Sequence, residues 1–238
     1  MTADLTPLPE DWQRALAVVA HPDDMEYGAA AAVARWTEQG KDVRYVLATR
    51  GEAGISSMAP EEVGPAREAE QRASCRAVGV TEVEFLDHAD GMVVADLALR
   101  RDLSAAIRRH RPEVVASVNF RDSWGGPSWN HADHRAVGMA LLDAVRDAAN
   151  PWVFSDLDLD VWDGTRMVAF NGSPRPTHGV DVTDTIEAGV RSLQCHQLYL
   201  ANLGDDAGAD GEFLREFARD AGPRIGAEMA CLFEVVEF

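Results

Sequence analysis

Leu16-Ala17-Val18-Val19-Ala20, followed at once by His21-Pro22-Asp23-Asp24, is the stretch that decides the fold. Five apolar residues between polar flanks read as a short strand buried on both faces, and Tyr27 to Gln39 then carries an alanine-rich helical pattern closed by Gly40. The alternation repeats outward from this unit. Val43 to Thr49 reads as a second strand, Pro65 to Val78 as a helix ending at Gly79, and Glu82 to Leu86 as a third strand. Leu97 to His110 is helical and stopped by Arg111-Pro112, Val114 to Asn119 is a fourth strand, and His131 to Ala148 is a helix ending before Asn150-Pro151. Strands alternating with helices of this length predict βαβ crossovers, hence an α/β, Rossmann-like, mainly parallel sheet with helices on both faces.

Beyond Pro151 the pattern loosens. Trp152 to Phe154 and Met167 to Asn171 read as short strands, Thr185 to Leu200 as a helix, and Phe213 to Arg219 as another. Gly204 to Glu212, acidic and glycine-rich, is the expected mobile loop. No repeat, low-complexity linker or compositional break divides the 238 residues, so one domain over 1–238 is expected, with its core motifs in 15–140 and a looser cap or substrate region in 150–238.

Composition narrows the function classes. Asp and Glu number 40 against 22 Lys and Arg, a formal net charge of -18. A surface so acidic repels phosphate backbones and anionic lipid, which argues against nucleic acid and membrane partners. Cys75, Cys195 and Cys231 form neither a C-x-x-C unit nor an even disulfide set. The start of the chain lacks a basic and apolar leader, and no apolar run approaches the roughly 18 residues of a membrane span. A reduced, cytoplasmic protein is the expectation; a homo-oligomer is compatible with the sequence.

In an open α/β sheet, ligands bind beyond the carboxyl ends of the strands, where the His21–Asp24 loop would lie. His21 and Asp24 are both normal zinc ligands, but a catalytic site needs a third protein ligand and one open position. Asn130-His131-Ala132-Asp133-His134, reached from the fourth strand through the Ser123–Trp129 loop, opens a helix at the same edge and places His131 and His134 on one face. Two histidines and a carboxylate make the catalytic class of zinc centre, which generates a hydrolytic nucleophile at neutral pH; ferrous iron suits the same ligands. Asp23 is left over for general acid/base work, and a remaining histidine for an oxyanion. Each motif alone could be an Asx turn with a helix cap or a solvated helix start. Their joint placement after two strands favours a metal site.

Ala17 to Glu26 (AVVAHPDDME), Thr49-Arg50-Gly51-Glu52-Ala53-Gly54, Arg67 and Glu70, Val78-Gly79-Val80, Phe85-Leu86, Asp90-Gly91 and His131-Ala132-Asp133-His134, in that order, resemble the PIG-L/LmbE-like zinc N-deacetylases. The likeness is clear over about residues 15–140 and then fades. It implies hydrolysis of an acetamido group, typically on an N-acetylglucosamine-type sugar, to a free amine and acetate, so an amino sugar or a glycosylated small molecule is the expected substrate. His21, Asp24 and His134 would then be zinc ligands, Asp23 the general base, and His131 the oxyanion or acid histidine oriented by Asp133. Arg67 and Asp90 would contact substrate, although spacing alone equally suits a surface ion pair of Arg67 with Glu70. Val180-Asp181-Val182-Thr183 also fits, but Gly189 stands near the family's usual lysine, and His196-Gln197-Leu198-Tyr199 replaces its His-x-Ser-Gln signature. An amidase for larger amides, such as a thiol conjugate or natural-product intermediate, and an idle binding or scaffold protein are the rival readings.

Other signals carry less. Asp206 to Gly211 imitates a calcium loop without its ligands at the third and twelfth positions. No G-x-G-x-x-G or P-loop follows a strand, and Ser56, Ser57 and Ser104 have no nucleophile-elbow context. His88, His110 and His178 have no paired ligand at fixed spacing, though the proline-rich loop of His178 could approach the site. Trp124 and Trp129 are either loop packing or a stacking wall.

Overall fold

The computed structural model describes residues 4–204 and 208–238. In chain order the elements are β1 (Thr6–Pro7), β2 (Arg14–Val19), α1 (Ala30–Glu38), β3 (Asp42–Leu47), α2 (Pro60–Ala77), β4 (Val83–Phe85), α3 (Leu97–His110), β5 (Val114–Val118), β6 (Ser123–Gly125), β7 (Ser128–Trp129), α4 (Ala132–Ala149), β8 (Met167–Asn171), β9 (His178–Asp181), α5 (Ile186–Leu193), α6 (Gln197–Asn202), α7 (Glu212–Ala221) and β10 (Ala230–Glu237).

Among the described residues the main sheet has eight strands in the order β1-β9-β10-β8-β5-β2-β3-β4. It is parallel except where β10 runs antiparallel to both β8 and β9. The α/β expectation therefore holds. β2 pairs with β3 on one side and β5 on the other. The chain winds outward from β2 in both directions, so the carboxyl ends of β2 and β5 form the switch point at which such sheets leave a crevice.

Alternate β2 residues supply two cores. Ala15, Ala17 and Val19 face a layer that includes Trp36 of α1, Leu193 of α5 and Leu214 of α7. Leu16 and Val18 face Leu103 and Ile107 of α3 and Val137 and Leu141 of α4. Burial on both faces is why the strand is a continuous apolar run rather than an alternating one. Helix α3 matches its expected bounds because both ends are encoded: Asp96 accepts the Leu99 amide at 3.0 Å, and Arg111 turns left-handed at φ 49° ahead of Pro112.

Several boundaries differ from expectation. α1 begins at Ala30 rather than Tyr27, because the amides of Ala29 and Ala30 both turn back onto the Met25 carbonyl. α2 begins at Pro60, a natural first-turn residue, and tolerates Pro65 inside it. The predicted strand Trp152–Phe154 is a run of turns, with Phe154 at φ 49°. The single helix expected over Thr185–Leu200 is two, α5 and α6, broken at 194–196. Strands β1, β9 and β10 and the β6/β7 ribbon were not anticipated. The loop expected to be mobile includes residues 205–207, which lie outside the described residues, as do two positions of the rejected calcium motif.

Candidate active site

The loop after β2 and the amino end of α4, which follows β5, meet at this switch point. His21 Nδ1, Asp24 Oδ1 and His134 Nε2 converge there: 3.2 Å separates the two imidazole nitrogens, 2.9 Å separates His134 from Asp24, and 3.6 Å separates His21 from Asp24. These are the separations that bonds of about 2.1 Å to one divalent ion would give.

The hydrogen bonds behind the three donors turn the correct atoms inward. Asp24 Oδ2 accepts the amides of Ala20 at 3.0 Å and His21 at 2.8 Å, leaving Oδ1 free. His21 Nε2 lies 3.1 Å from Asp90 Oδ1 and 3.2 Å from Asp133 Oδ2. Carboxylates only accept, so His21 Nε2 carries a proton, and a metal would take the Nδ1 lone pair, which faces Asp24 and His134, in place of the second proton that these carboxylates favour. His134 Nδ1 is 2.9 Å from Asn130 Oδ1, whose amide is oriented by donating to the Asn119 and Arg121 carbonyls at 2.7 and 2.9 Å. That assigns the inward lone pair to Nε2. Nothing in the donor set needs to rearrange to hold a metal.

Asp23 is built differently. Its backbone is left-handed at φ 82°, a strained setting for a non-glycine residue. Its amide donates to Gln71 Oε1 at 2.9 Å, and Arg67 Nη2 donates to its Oδ2 at 2.9 Å. Arg67, 2% exposed, also donates to the carbonyls of Pro22 at 2.7 Å and Gly51 at 3.0 Å, and its guanidinium lies 3.8 Å from the Tyr199 ring centroid. Gly51 fits this clamp because any Cβ there would come within 2.2 Å of Arg67 Nη1. Burial pushes the Asp23 carboxyl well above the usual carboxylate range, with the Arg67 charge acting in the opposite sense.

His131 caps α4: its Nδ1 accepts the Asp133 amide at 3.2 Å, which leaves the proton on Nε2. Burial, then the neighbouring His21, lowers its pKa, so it is neutral at physiological pH. His21, Asp23, Arg67, Asp90, His131, His134, Tyr199 and Trp124 line a cleft of about 290 Å³.

One expected orientation and one alternative pairing need correction. The Asp133 carboxylate does not orient His131; it accepts the amides of Gly91 and Val93 at 2.7 and 3.2 Å and backs His21. Asp90 lines the cleft, with one oxygen on His21 and the other accepting the Ala53 amide at 2.8 Å. Arg67 is no surface partner of Glu70, whose carboxylate instead accepts the Leu198 amide. Of the two tryptophans, Trp124 walls the cleft edge-on to His134 at 5.7 Å, whereas Trp129 is 68% exposed beneath Arg135. His178 sits in β9 beside Thr177 and does not line the cleft.

Gln71, Asn130 and Tyr199 were not singled out as site residues by sequence. Asn130, directly before H-x-D-H at a helix start, was the legible one. Behind Asp23, Gln71 Nε2 donates to Glu26 Oε1, which also accepts the Ser74 hydroxyl. Burial raises Glu26 and lowers the nearby His196 to about 3, so His196 is a neutral core residue.

A profile of the PIG-L family, GlcNAc-PI de-N-acetylase, matches residues 16–145. The chain belongs to that family. The diacetylchitobiose deacetylase of Thermococcus kodakarensis is 30% identical over 79% of this chain and 70% of its own length. A 1D-myo-inositol 2-acetamido-2-deoxy-alpha-D-glucopyranoside deacetylase of Actinosynnema mirum is 33% identical over 90% of this chain and 94% of its own. The solved N,N'-diacetylchitobiose deacetylase of Pyrococcus horikoshii, complexed with its inhibitor MPG, superposes with a TM-score of 0.84 at 25% identity, covering 95% of this chain and 85% of that one. The match thus runs through the PIG-L chain's divergent carboxyl-terminal third as well. Among the described residues, no helix is long and apolar enough to cross a membrane.

The site fixes a pH dependence. Burial alone would lower His21, but Asp24, Asp133 and Asp90 outweigh it and hold the imidazole well above its ordinary range. A raised folded-state pKa stabilises fully below the unfolded value, about 6.5 for His, and that contribution is lost as pH rises through the folded value. Asp23 and Glu26, also raised, act in the same sense above about pH 4. Chelator-treated protein is therefore expected to melt at a lower temperature at about pH 9 than at about pH 6. Metal binding needs the inward lone pair of His21, so stabilisation by added zinc is expected to grow over the same interval, read by thermal unfolding with and without the ion.

Proposed function

We propose that this PIG-L protein is a metal-dependent N-deacetylase that hydrolyses the acetamido group of an amino sugar or a glycosylated small molecule to acetate and a free amine. The observation that carries the reading is Asp23, a buried and strained carboxylate beside the three-donor cluster but outside it, clamped by Arg67. A pure binding site has no use for such a group. His21, Asp24 and His134 would hold the metal, zinc or ferrous iron being ions that two imidazoles and a carboxylate suit. When bound, the metal supplies a Lewis acid that acidifies water and polarises an amide carbonyl.

The chain's own residues divide the remaining work. Asp23 takes a proton from the attacking water and returns it to the departing nitrogen as the C–N bond breaks, so one water is consumed per acetate and amine formed. Arg67 and Gln71 hold its carboxylate and its backbone toward the cleft. His131, neutral with Nε2–H free, donates to the oxygen that gains charge in the tetrahedral intermediate. Asp90 and Asp133 keep His21 in the ligating tautomer. The diacetylchitobiose and inositol-glycoside relatives support an N-acetylated amino sugar as the substrate class.

The test is stoichiometric. Zinc-reconstituted protein incubated with an N-acetylglucosamine glycoside is expected to release acetate and primary amine in equal amounts, and chelated protein to release neither.

A further inference from the structure

Beside the 290 Å³ cleft lies a larger cavity of about 520 Å³. Asp24, Tyr27, Val118 and Trp124 line both, so the two spaces adjoin at the metal-donor wall. Away from that wall the lining is mostly apolar, with Ile186, Leu214 and Phe217 among it, and Asn171, Ser173 and Arg224 are interspersed. Most of this lining lies beyond residue 145, outside the segment the family profile matches.

Close-packed interiors rarely leave voids larger than a water, and small-molecule sites commonly run to about 300–1,000 Å³ with mostly apolar walls. Sugar hydroxyls would find few free partners against such walls, where Asn171 already donates to the Leu232 carbonyl, Ser173 to Glu234 and Arg224 to Asp4. The polar cleft suits the sugar, and the adjoining cavity does not. An acetyl group is far too small to need it. Two local features fit an apolar ligand. Phe217 is 67% exposed at the cavity although it is apolar, and Trp124 rests so closely on Gly172 that any Cβ there would come within 2.7 Å of the ring, fixing the wall between the two spaces.

We infer that this cavity binds an apolar aglycone, an alkyl or aryl group joined to the amino sugar whose acetamido group lies in the cleft. The inference rests on the N-deacetylase reading and adds what the sugar carries: because the acyl group lost is small, the apolar group belongs to the part that keeps the nitrogen.

The experiment compares acetate release from the methyl and octyl β-glycosides of N-acetylglucosamine, the octyl compound held below its micelle concentration. The octyl glycoside has seven more methylenes; with about half of their transfer free energy realised, its kcat/KM should exceed that of the methyl glycoside by about 100-fold, mostly through KM. Phe217→Asp, at an exposed position, should cut that ratio to below about tenfold, and a ratio taken within one preparation is insensitive to the folded fraction. Equal kcat/KM for the two glycosides would overturn the aglycone site and leave the deacetylase reading standing. Faster release of octanoate from the N-octanoyl methyl glycoside than of acetate from the octyl glycoside would place the apolar group on the acyl side and overturn it too. Release from none of the three would refute the deacetylase reading and the inference together.

Discussion

Asp23→Asn is expected to lower kcat by about two to four orders of magnitude, the usual worth of a positioned general base, while metal content stays at the wild-type level. The substitution isolates the proton-transfer role. Asn has the same shape, its side-chain oxygen can still accept from Arg67, and it is among the few residues that tolerate the left-handed backbone held here at φ 82°. Single-turnover acetate release together with elemental analysis of the same sample reads both quantities. An active Asp23→Asn protein would mean that the base lies elsewhere; a metal-free one would make Asp23 a ligand.

His134→Ala is expected to abolish metal binding as well as activity. Of the three inward atoms, His134 Nε2 lies nearest to Asp24 Oδ1, at 2.9 Å, and its loss leaves one imidazole and one carboxylate. Outer partners of metal ligands are already worth about 10- to 100-fold in affinity, so losing a ligand should cost more than about 100-fold. The thermal stabilisation that zinc gives the wild type, about 2.7 kcal/mol at a hundred times Kd, should disappear. The two variants thus fail differently: the first keeps the ion and loses turnover, the second loses both.

How much of this was legible in the sequence follows from the range over which each signal acts. β5, β8 and α3 are encoded locally, by apolar runs and by caps such as Asp96, and the sequence places them to within a residue, whereas β2 begins two residues ahead of its apolar run. The three donors were legible because His21 and Asp24 sit directly after one strand and His134 begins the helix after another, which the doubly wound topology brings to one edge. The support around them was not. Arg67 lies 44 residues from Asp23, and only the folded chain turns it inward; at helical spacing it reads equally well as a partner of Glu70. Asp133 lies two residues from His131 yet serves His21, because the Gly91 and Val93 amides from the loop after β4 draw its carboxylate away. The antiparallel insertion of β10 between β8 and β9 depends on pairing across about fifty to seventy residues and leaves no local mark. The break between α5 and α6 places His196 in the core and Tyr199 under Arg67, a packing outcome that helical periodicity does not predict.

The most direct test of the central claim is a titration of metal-depleted wild-type protein with zinc, with acetate released from an N-acetylglucosamine glycoside measured at each point and Asp23→Asn run in parallel. Metal held by His21, Asp24 and His134 and coupled to Asp23 predicts acetate release that rises linearly and saturates at one zinc per chain, and an Asp23→Asn protein that binds the same one zinc and stays flat. Acetate release that is independent of zinc, or equal in the two proteins at saturation, would contradict the account.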